Sequence, residues 1–313
     1  MRIIAFVPGG INEQILFFPA LDSLKQSYPN AEIDVVVEPR AKAAYSLSKS
    51  VDDVLAFDYP DRNSPADWAN LLGVVRDRYY TAAIYTGQGW GVGMLLWLTG
   101  VPKRICYDNS AGKLFYTNVV PFKPDQYTAY AYHDLLQGLN INVSCPELSL
   151  TVPKADLDWA DGERKRLGIG NSGYVLLQAD SEQSETYPIE SWKEIVQSFR
   201  DRQPDIPLVL AQTAGEPAAI VPLTQAYPDL KVTRPANLGK LAAMIAGANL
   251  VVGASGVPMQ LAVALKVYTL ALFGSKTAAT LLPKSDKFSA IQSSTGKLAD
   301  IPPAQVLEKV WGG

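Results

Sequence analysis

"LVVGASGVPMQLAVALKVYTLALFG", residues 250–274, decides the fold. An apolar run is followed by a turn of small residues, a short helical stretch and a second apolar run. This is the pattern of a βαβ unit, in which the two strands lie parallel. In α/β proteins such a turn is where ligands are held. The question is what a turn built from Ala254, Ser255, Gly256, Val257 and Pro258, followed by Gln260, could hold.

Outward from this unit the alternation of β-branched runs with helical stretches continues in both directions. The first half reads as strands "RIIAFV", "EIDVVV", "VLAFD", "AAIYT" and "KRICY", with helices "EQILFFPALDSLKQSYP", "RAKAAYSLSKS", "SPADWANLLGVVRDR" and "GWGVGMLLWLTG" between them. After the Pro-punctuated stretch "INVSCPELSLTVPK" the alternation restarts with "YVLLQAD", "LVLAQT", "LKVTRP", "NLVVGA" and "TLALFG". Two Rossmann-like α/β domains follow, residues 1–150 and 151–313. The last helix, in "PPAQVLEKVWGG", is placed where it could pack back on the first domain. Parallel sheets bind ligands beyond the carboxyl ends of their strands, so two such domains are expected to face a central cleft.

Composition narrows the function. With 48% hydrophobic and 19% charged residues, the 313-residue chain can bury two cores. Its net charge of −3 gives no basis for nucleic-acid binding. Cys106 and Cys145 stand in no disulfide or metal-type spacing. The sole histidine, His133 in "YTAYAYHDLLQGL", reads as a satisfied histidine on a helix surface, which leaves none for a Ser-His-Asp arrangement or a His-based metal site. The N-terminal run is a first strand, not a leader, and "GVGMLLWLTGV" is shorter than a membrane span. A cytoplasmic protein is expected, at most peripheral to the inner membrane.

The turns carry the chemistry. "VPGGINEQ" follows the first strand and opens a helix, and Gly9 and Gly10 let a ligand approach the backbone. Glu13 lies in that helix's first turn, where it serves either as a general base facing the cleft or as a partner of the helix dipole. The stretch lacks the Lys and Ser/Thr of a phosphate loop. "FGSKTAATLLP" is read as the end of the last strand of the second sheet. Its Lys276 is either a diphosphate ligand or a solvated loop lysine. Glu216, just before a Pro-containing helix start, is either a ribose ligand or an ordinary first-turn acid.

These residues resemble glycosyltransferase family 9, the ADP-heptose:lipopolysaccharide heptosyltransferases. The family's V-G-N-D-S-G-P-M-H-L-A-A-A-L-G-V-P-T-V-A-L-F-G-P-T aligns without a gap on the run from Val252 to Lys276. "INEQILFFPALDSLKQSYPNAEIDVVV" and "YPIESW" resemble two further family segments, so the likeness spans nearly the whole chain. The resemblance implies a GT-B fold. It also implies an inverting, metal-independent transfer of a sugar from a nucleotide-diphosphate sugar, ADP-linked in the family, to a glycan or lipid-linked acceptor, with no cofactor. Glu13 falls on the family's catalytic Asp, beside Gly9, Gly10 and Asn12 on the acceptor side. Gln178, Glu216, Ser255, Gly256, Met259, Gln260, Gly274 and Lys276 fall on the donor side.

The departures are polar. Glu185 replaces a Lys near the donor diphosphate, Ser255-Gly256-Val257 replaces Asp-Ser-Gly, and Gln260 replaces His. Unit charges about 4 Å apart interact by roughly 4 kcal/mol at an effective dielectric near 20, so Lys to Glu turns an attraction into a comparable repulsion. Two functions therefore stand: a heptosyltransferase-like transferase with an altered site, and a catalytically inactive homologue that acts as a binding or assembly partner. Trp90, Trp97 and Tyr107 are candidates either for lining an acceptor sugar site or for core packing.

Overall fold

The structure, a computed structural model, describes residues 1–60, 64–170, 173–179, 186–213 and 220–312. The chain divides into two compact units, Met1–Thr151 and Val152–Gly313. The first contains β1 (Arg2–Val7), α1 (Ile11–Ser27), β2 (Glu32–Val37), β3 (Asp53–Ala56), α2 (Pro65–Asp77), β4 (Ala82–Tyr85), α3 (Trp90–Thr99), β5 (Lys103–Tyr107), β6 (Asn118–Val120) and α4 (Thr128–Asp134). The second contains α5 (Lys154–Arg166), β7 (Val175–Gln178), α6 (Ile189–Arg202), β8 (Leu208–Ala211), α7 (Val221–Ala226), β9 (Lys231–Thr233), α8 (Leu238–Ala246), β10 (Leu250–Ala254), α9 (Val257–Ala264), β11 (Tyr268–Phe273), α10 (Ala278–Leu281), β12 (Phe288–Gln292) and α11 (Pro303–Trp311).

Each unit is built on a six-stranded parallel sheet. The orders are β3-β2-β1-β4-β5-β6 and β12-β11-β10-β7-β8-β9. Numbered from their own first strands, both have the doubly wound order 3-2-1-4-5-6, which reverses direction next to the first strand. The central strands are buried along almost their whole length: in β1 and β2 every residue after the first is buried. Burial on both faces explains their continuous apolar runs, because helices cover each side of a parallel sheet. α1 is correspondingly apolar, with Ile15, Leu16, Phe17 and Phe18 all buried.

Local chemistry sets the element ends. A capping box closes the start of α2, with the Ser64 hydroxyl accepting from the Asp67 amide and Asp67 accepting from the Ser64 amide. Gly100, at φ 75°, ends α3 in the left-handed conformation that glycine adopts without a Cβ penalty. The Asn237 side chain caps α8 by accepting from the Lys240 amide at 2.8 Å. At the start of β2, Asp34 is 2% exposed and accepts from Arg78 Nη1 at 2.8 Å and from the Tyr80 hydroxyl at 2.5 Å.

Four elements escape the sequence reading: β6, β12, α5 and the short α10. β6 and β12 add an edge strand to each sheet, so β11 is not the last strand of the second sheet. Both new strands are short and half-exposed, which removes the apolar run that betrays a buried strand. α5 is highly charged and buries only Ala160 and Glu163. The stretch 40–50, expected as an α-helix, is a 3-10 helix, Pro39–Leu47. His133 is helical, as read, but buried and not on the surface. It faces α1, where its Nε2 shares a 2.9 Å hydrogen bond with the Ser23 hydroxyl. α11 places Val306 in the core of the second unit and Trp311 against Phe199 of α6. No helix among the described residues is long and apolar enough to cross a membrane.

Candidate functional site

The reversal of strand order in the first sheet lies between β1 and β4, and there the chain runs from Val7 through Pro8, Gly9 and Gly10 into α1. Gly9 has φ +113°, a conformation that side chains rarely tolerate. Its amide donates to Glu38 Oε1 at 2.9 Å, and the other Glu38 oxygen pairs with Arg40. The fully buried Gln14 donates to the Val7 carbonyl at 2.9 Å and accepts from the Tyr45 hydroxyl at 2.7 Å. The turn is thus held from below by Gln14 and from the side by Glu38.

Glu13 lies across the top of this turn. A Cβ built on Gly9 would meet Glu13 Cγ at 2.7 Å, and one built on Gly10 would lie 3.6 Å from Glu13 Oε2. Glu13 is half-buried and makes no ion pair among the described residues. On α4, the Tyr132 ring lies edge-on to Phe17 at 5.9 Å. Burial, reinforced by the Glu13 charge, raises the Tyr132 phenol above its usual range, so it stays a proton donor at neutral pH. Tyr45 is raised in the same way by burial and by Tyr132. Asn12 Oδ1 is buried without a hydrogen-bond partner among the described residues.

In the second sheet the reversal lies between β7 and β10, and β11 follows on the other side of β10. Gln178, Ser255 and Gly256, and Gly274 and Lys276 therefore share the carboxyl ends of three adjacent strands. Gly253 lets β7 and β10 close up, since a Cβ there would lie 2.7 Å from that of Gln178. The Ser255 amide donates to the Leu272 carbonyl at 2.8 Å. α9 then begins at Gly256 with no side-chain cap. Its first-turn amides, those of Val257 and Met259, face outward with the positive end of the helix dipole, while Pro258 offers none.

Not every donor-side residue is free to act. Met259 is buried, and so is Gln260, whose Nε2 donates to the Leu281 carbonyl at 2.8 Å and ties α9 to α10. Gln260 Oε1 has no hydrogen-bond partner among the described residues. Gly274 is buried, with its carbonyl accepting from Gln292 at 2.8 Å, and Lys276 is exposed beyond it. Glu185 and Glu216 lie outside the described residues. Of the aromatic candidates, Tyr107 is core, with its hydroxyl donating to the Ala131 carbonyl, whereas Trp90 and Trp97 are exposed.

Glu38, Gln14, Tyr45 and Tyr132 were not assigned from the sequence. A charged residue directly after the apolar run "VVV" was the available signal for Glu38, since strand ends of a parallel sheet face the ligand side. Tyr132, which feels the Glu13 charge, lies on a different helix, and no local pattern announces it.

A family model described as Glycosyltransferase family 9 (heptosyltransferase) matches residues 68–310, more than half of the chain. Photosynthetic NDH subunit of subcomplex B 1, chloroplastic, of Arabidopsis thaliana is 25% identical over 338 residues, which cover 96% of this chain and 71% of the relative. Lipopolysaccharide heptosyltransferase 3 of Escherichia coli is 21% identical over 302 residues, covering 93% and 88%. The structure of E. coli ADP-heptose lps heptosyltransferase II superposes with a TM-score of 0.80 at 17% identity, covering 99% of this chain and 97% of the other.

Proposed function

The chain belongs to glycosyltransferase family 9, with a heptosyltransferase-like GT-B fold, and from that membership we propose that it transfers a sugar from a nucleotide-diphosphate sugar to a glycan or lipid-linked hydroxyl. The observation that carries this reading is the pair of turns at the two strand-order reversals. One presents Glu13 with no ion pair among the described residues. The other presents the uncapped N-terminus of α9.

In this mechanism the Glu13 carboxylate takes the proton of the acceptor hydroxyl. The hydroxyl oxygen attacks the anomeric carbon, the bond to the diphosphate oxygen breaks, and the configuration inverts. The leaving nucleoside diphosphate takes the electron pair, and its charge is met by the α9 amides and Lys276 instead of a metal ion. Removing one preorganised donor of this kind costs about two to three orders of magnitude in rate. ADP is the first nucleotide to test, because the superposed E. coli enzyme is by name an ADP-heptose transferase.

A second reading, a catalytically inactive assembly component, is favoured by two observations. The Arabidopsis relative is by name a subunit of a complex. Gln260, at a family histidine position, has its amide nitrogen committed to the Leu281 carbonyl. Kinetics separate the two. With ADP-, UDP- and GDP-sugars and a lipid-linked acceptor, Glu13→Gln should lower kcat by about 10²–10⁴-fold while leaving donor affinity unchanged. Turnover equal to wild type would remove Glu13 from the mechanism. Absence of both turnover and donor binding in the wild-type chain would leave the assembly reading.

A further inference from the structure

The transfer steps set out above use no residue on the outer face of α3. The inner side of the helix is core, with Val92, Leu95 and Leu96 buried. The outer side is also apolar: Trp90 is 57% exposed, Met94 36%, Trp97 56% and Leu98 50%. The neighbouring 3-10 turn, Lys113–Phe115, adds Leu114 at 77%, and Phe115 of that turn touches the Trp97 ring at 6.1 Å. Single exposed apolar residues are ordinary, but five large ones on two packed elements are not.

Spacing and charge point to the occupant. Trp90, Met94, Trp97 and Leu98 follow at i, i+4, i+7 and i+8, so they form one stripe. The two indoles are two turns apart, about 10.5 Å along the axis. A helix lying flat on a bilayer would bring both to one depth, and Trp is the residue that favours the headgroup boundary. Residues 86–119 carry Lys103, Arg104 and Lys113 against a single acid, Asp108, in a chain whose net charge is −3. Lys103 follows the end of α3 and Lys113 adjoins Leu114. Both are exposed and unpaired in any ion pair among the described residues. The Asp108 carboxylate accepts from the Phe122 amide. Lysines bracketing the apolar stripe suit an anionic lipid surface, whereas the centres of protein interfaces are depleted in lysine.

We propose that the outer face of α3 and the adjoining 3-10 turn is a membrane-docking surface that inserts Trp90 and Trp97 into the headgroup boundary of an anionic bilayer, with Lys103 and Lys113 on the lipid phosphates. This holds for the transferase and for the assembly reading alike, since it uses none of the residues of the two turns.

Flotation of the full chain with phosphatidylcholine vesicles, with and without phosphatidylglycerol, tests it. The chain should float with the anionic vesicles and at least about tenfold less with the neutral ones, since each lysine near an anionic surface contributes about fivefold. Trp90→Ser combined with Trp97→Ser should lower anionic binding by at least about tenfold, because binding scales with the apolar area inserted. Lys103→Gln with Lys113→Gln should erase the preference for anionic vesicles. Brominated lipids should quench the tryptophan emission of the wild-type chain but not of the double tryptophan variant. That variant should melt like wild type because both side chains are exposed. No flotation with anionic vesicles, or flotation and quenching unchanged in the tryptophan variant, would overturn the proposal. It would also fail if the chain ignored both vesicle types while a soluble protein partner shielded the two indoles.

Discussion

Replacing Gly9 with alanine probes the first turn at its tightest point. Gly9 sits at φ +113°, and an added Cβ would lie 2.7 Å from Glu13 Cγ and 3.1 Å from both Cβ and Cδ of the same residue. The backbone term is about 1–3 kcal/mol for a non-glycine residue in such a region. Pushing Glu13 off its rotamer adds about 1 kcal/mol. The sum, about 2–4 kcal/mol, corresponds to a fall in melting temperature of roughly 5–15 °C for a unit of this size. Calorimetric melting of Gly9→Ala measures the total, and a double-mutant cycle with Glu13→Ala isolates the contact. Without the Glu13 Cγ and Cδ, the cost of Gly9→Ala should drop by about 1 kcal/mol. Equal costs in the two backgrounds would refute the placement of Glu13 over Gly9, and a Gly9→Ala chain that melts like wild type would refute the strained turn altogether.

Other perturbations address the frame around the two turns. Arg78→Ala leaves the 2%-exposed Asp34 with Tyr80 as its remaining side-chain partner. It should destabilise by about 3 kcal/mol, the lower end for a broken buried pair because Arg78 is itself part-exposed. Adding Asp34→Asn should recover part of that loss in urea titrations. Gly253→Ala would push β10 from β7, with the new Cβ 2.7 Å from Gln178 Cβ and 3.3 Å from the Gln178 carbonyl oxygen. Overpacking of this kind costs about 1–3 kcal/mol, measurable as a lower denaturation midpoint. Burial depresses the pKa of His133 below its ordinary 6.5, against a smaller opposing effect of Asp134. Its contribution to stability is therefore full above about 6.5 and is lost as pH falls below that value toward the depressed one. Melting temperatures compared at about pH 7.5 and 5.5 should show a drop that is reduced in His133→Gln.

The sheets were legible because their central strands are covered on both faces. "RIIAFV", "EIDVVV" and "KRICY" coincide with β1, β2 and β5 to the residue. β6 and β12 were not legible, since an edge strand of three to five half-exposed residues has neither the run nor the alternation of a buried one. The charged α5 lacks a visible apolar stripe for a related reason: the few side chains it buries include Glu163, held by Arg166 and Thr233. His133 was legible as helical, but its burial against Ser23 depends on how α4 meets α1.

The site divides in the same way. Gly9, Gly10, Ser255 and Gly256 announce themselves as small residues directly after buried strands, and the strand order then places them at the two reversals. The polar frame does not announce itself. Glu38 clamps the Gly9 amide from twenty-nine residues away, and Tyr132, on another helix, feels the Glu13 charge. Gln260 shows the converse. Its place in the quoted stretch suggests a ligand contact, yet its amide nitrogen is spent on the Leu281 carbonyl, leaving only Oε1 available.

Titration of ADP into the chain by calorimetry asks only whether the turn before α9 holds a nucleoside diphosphate. Saturable one-to-one binding is expected, weakened by Lys276→Ala and by Gly256→Val, which adds a branched side chain at the start of α9. No heat of binding at millimolar ADP, or binding unchanged by both substitutions, would contradict it.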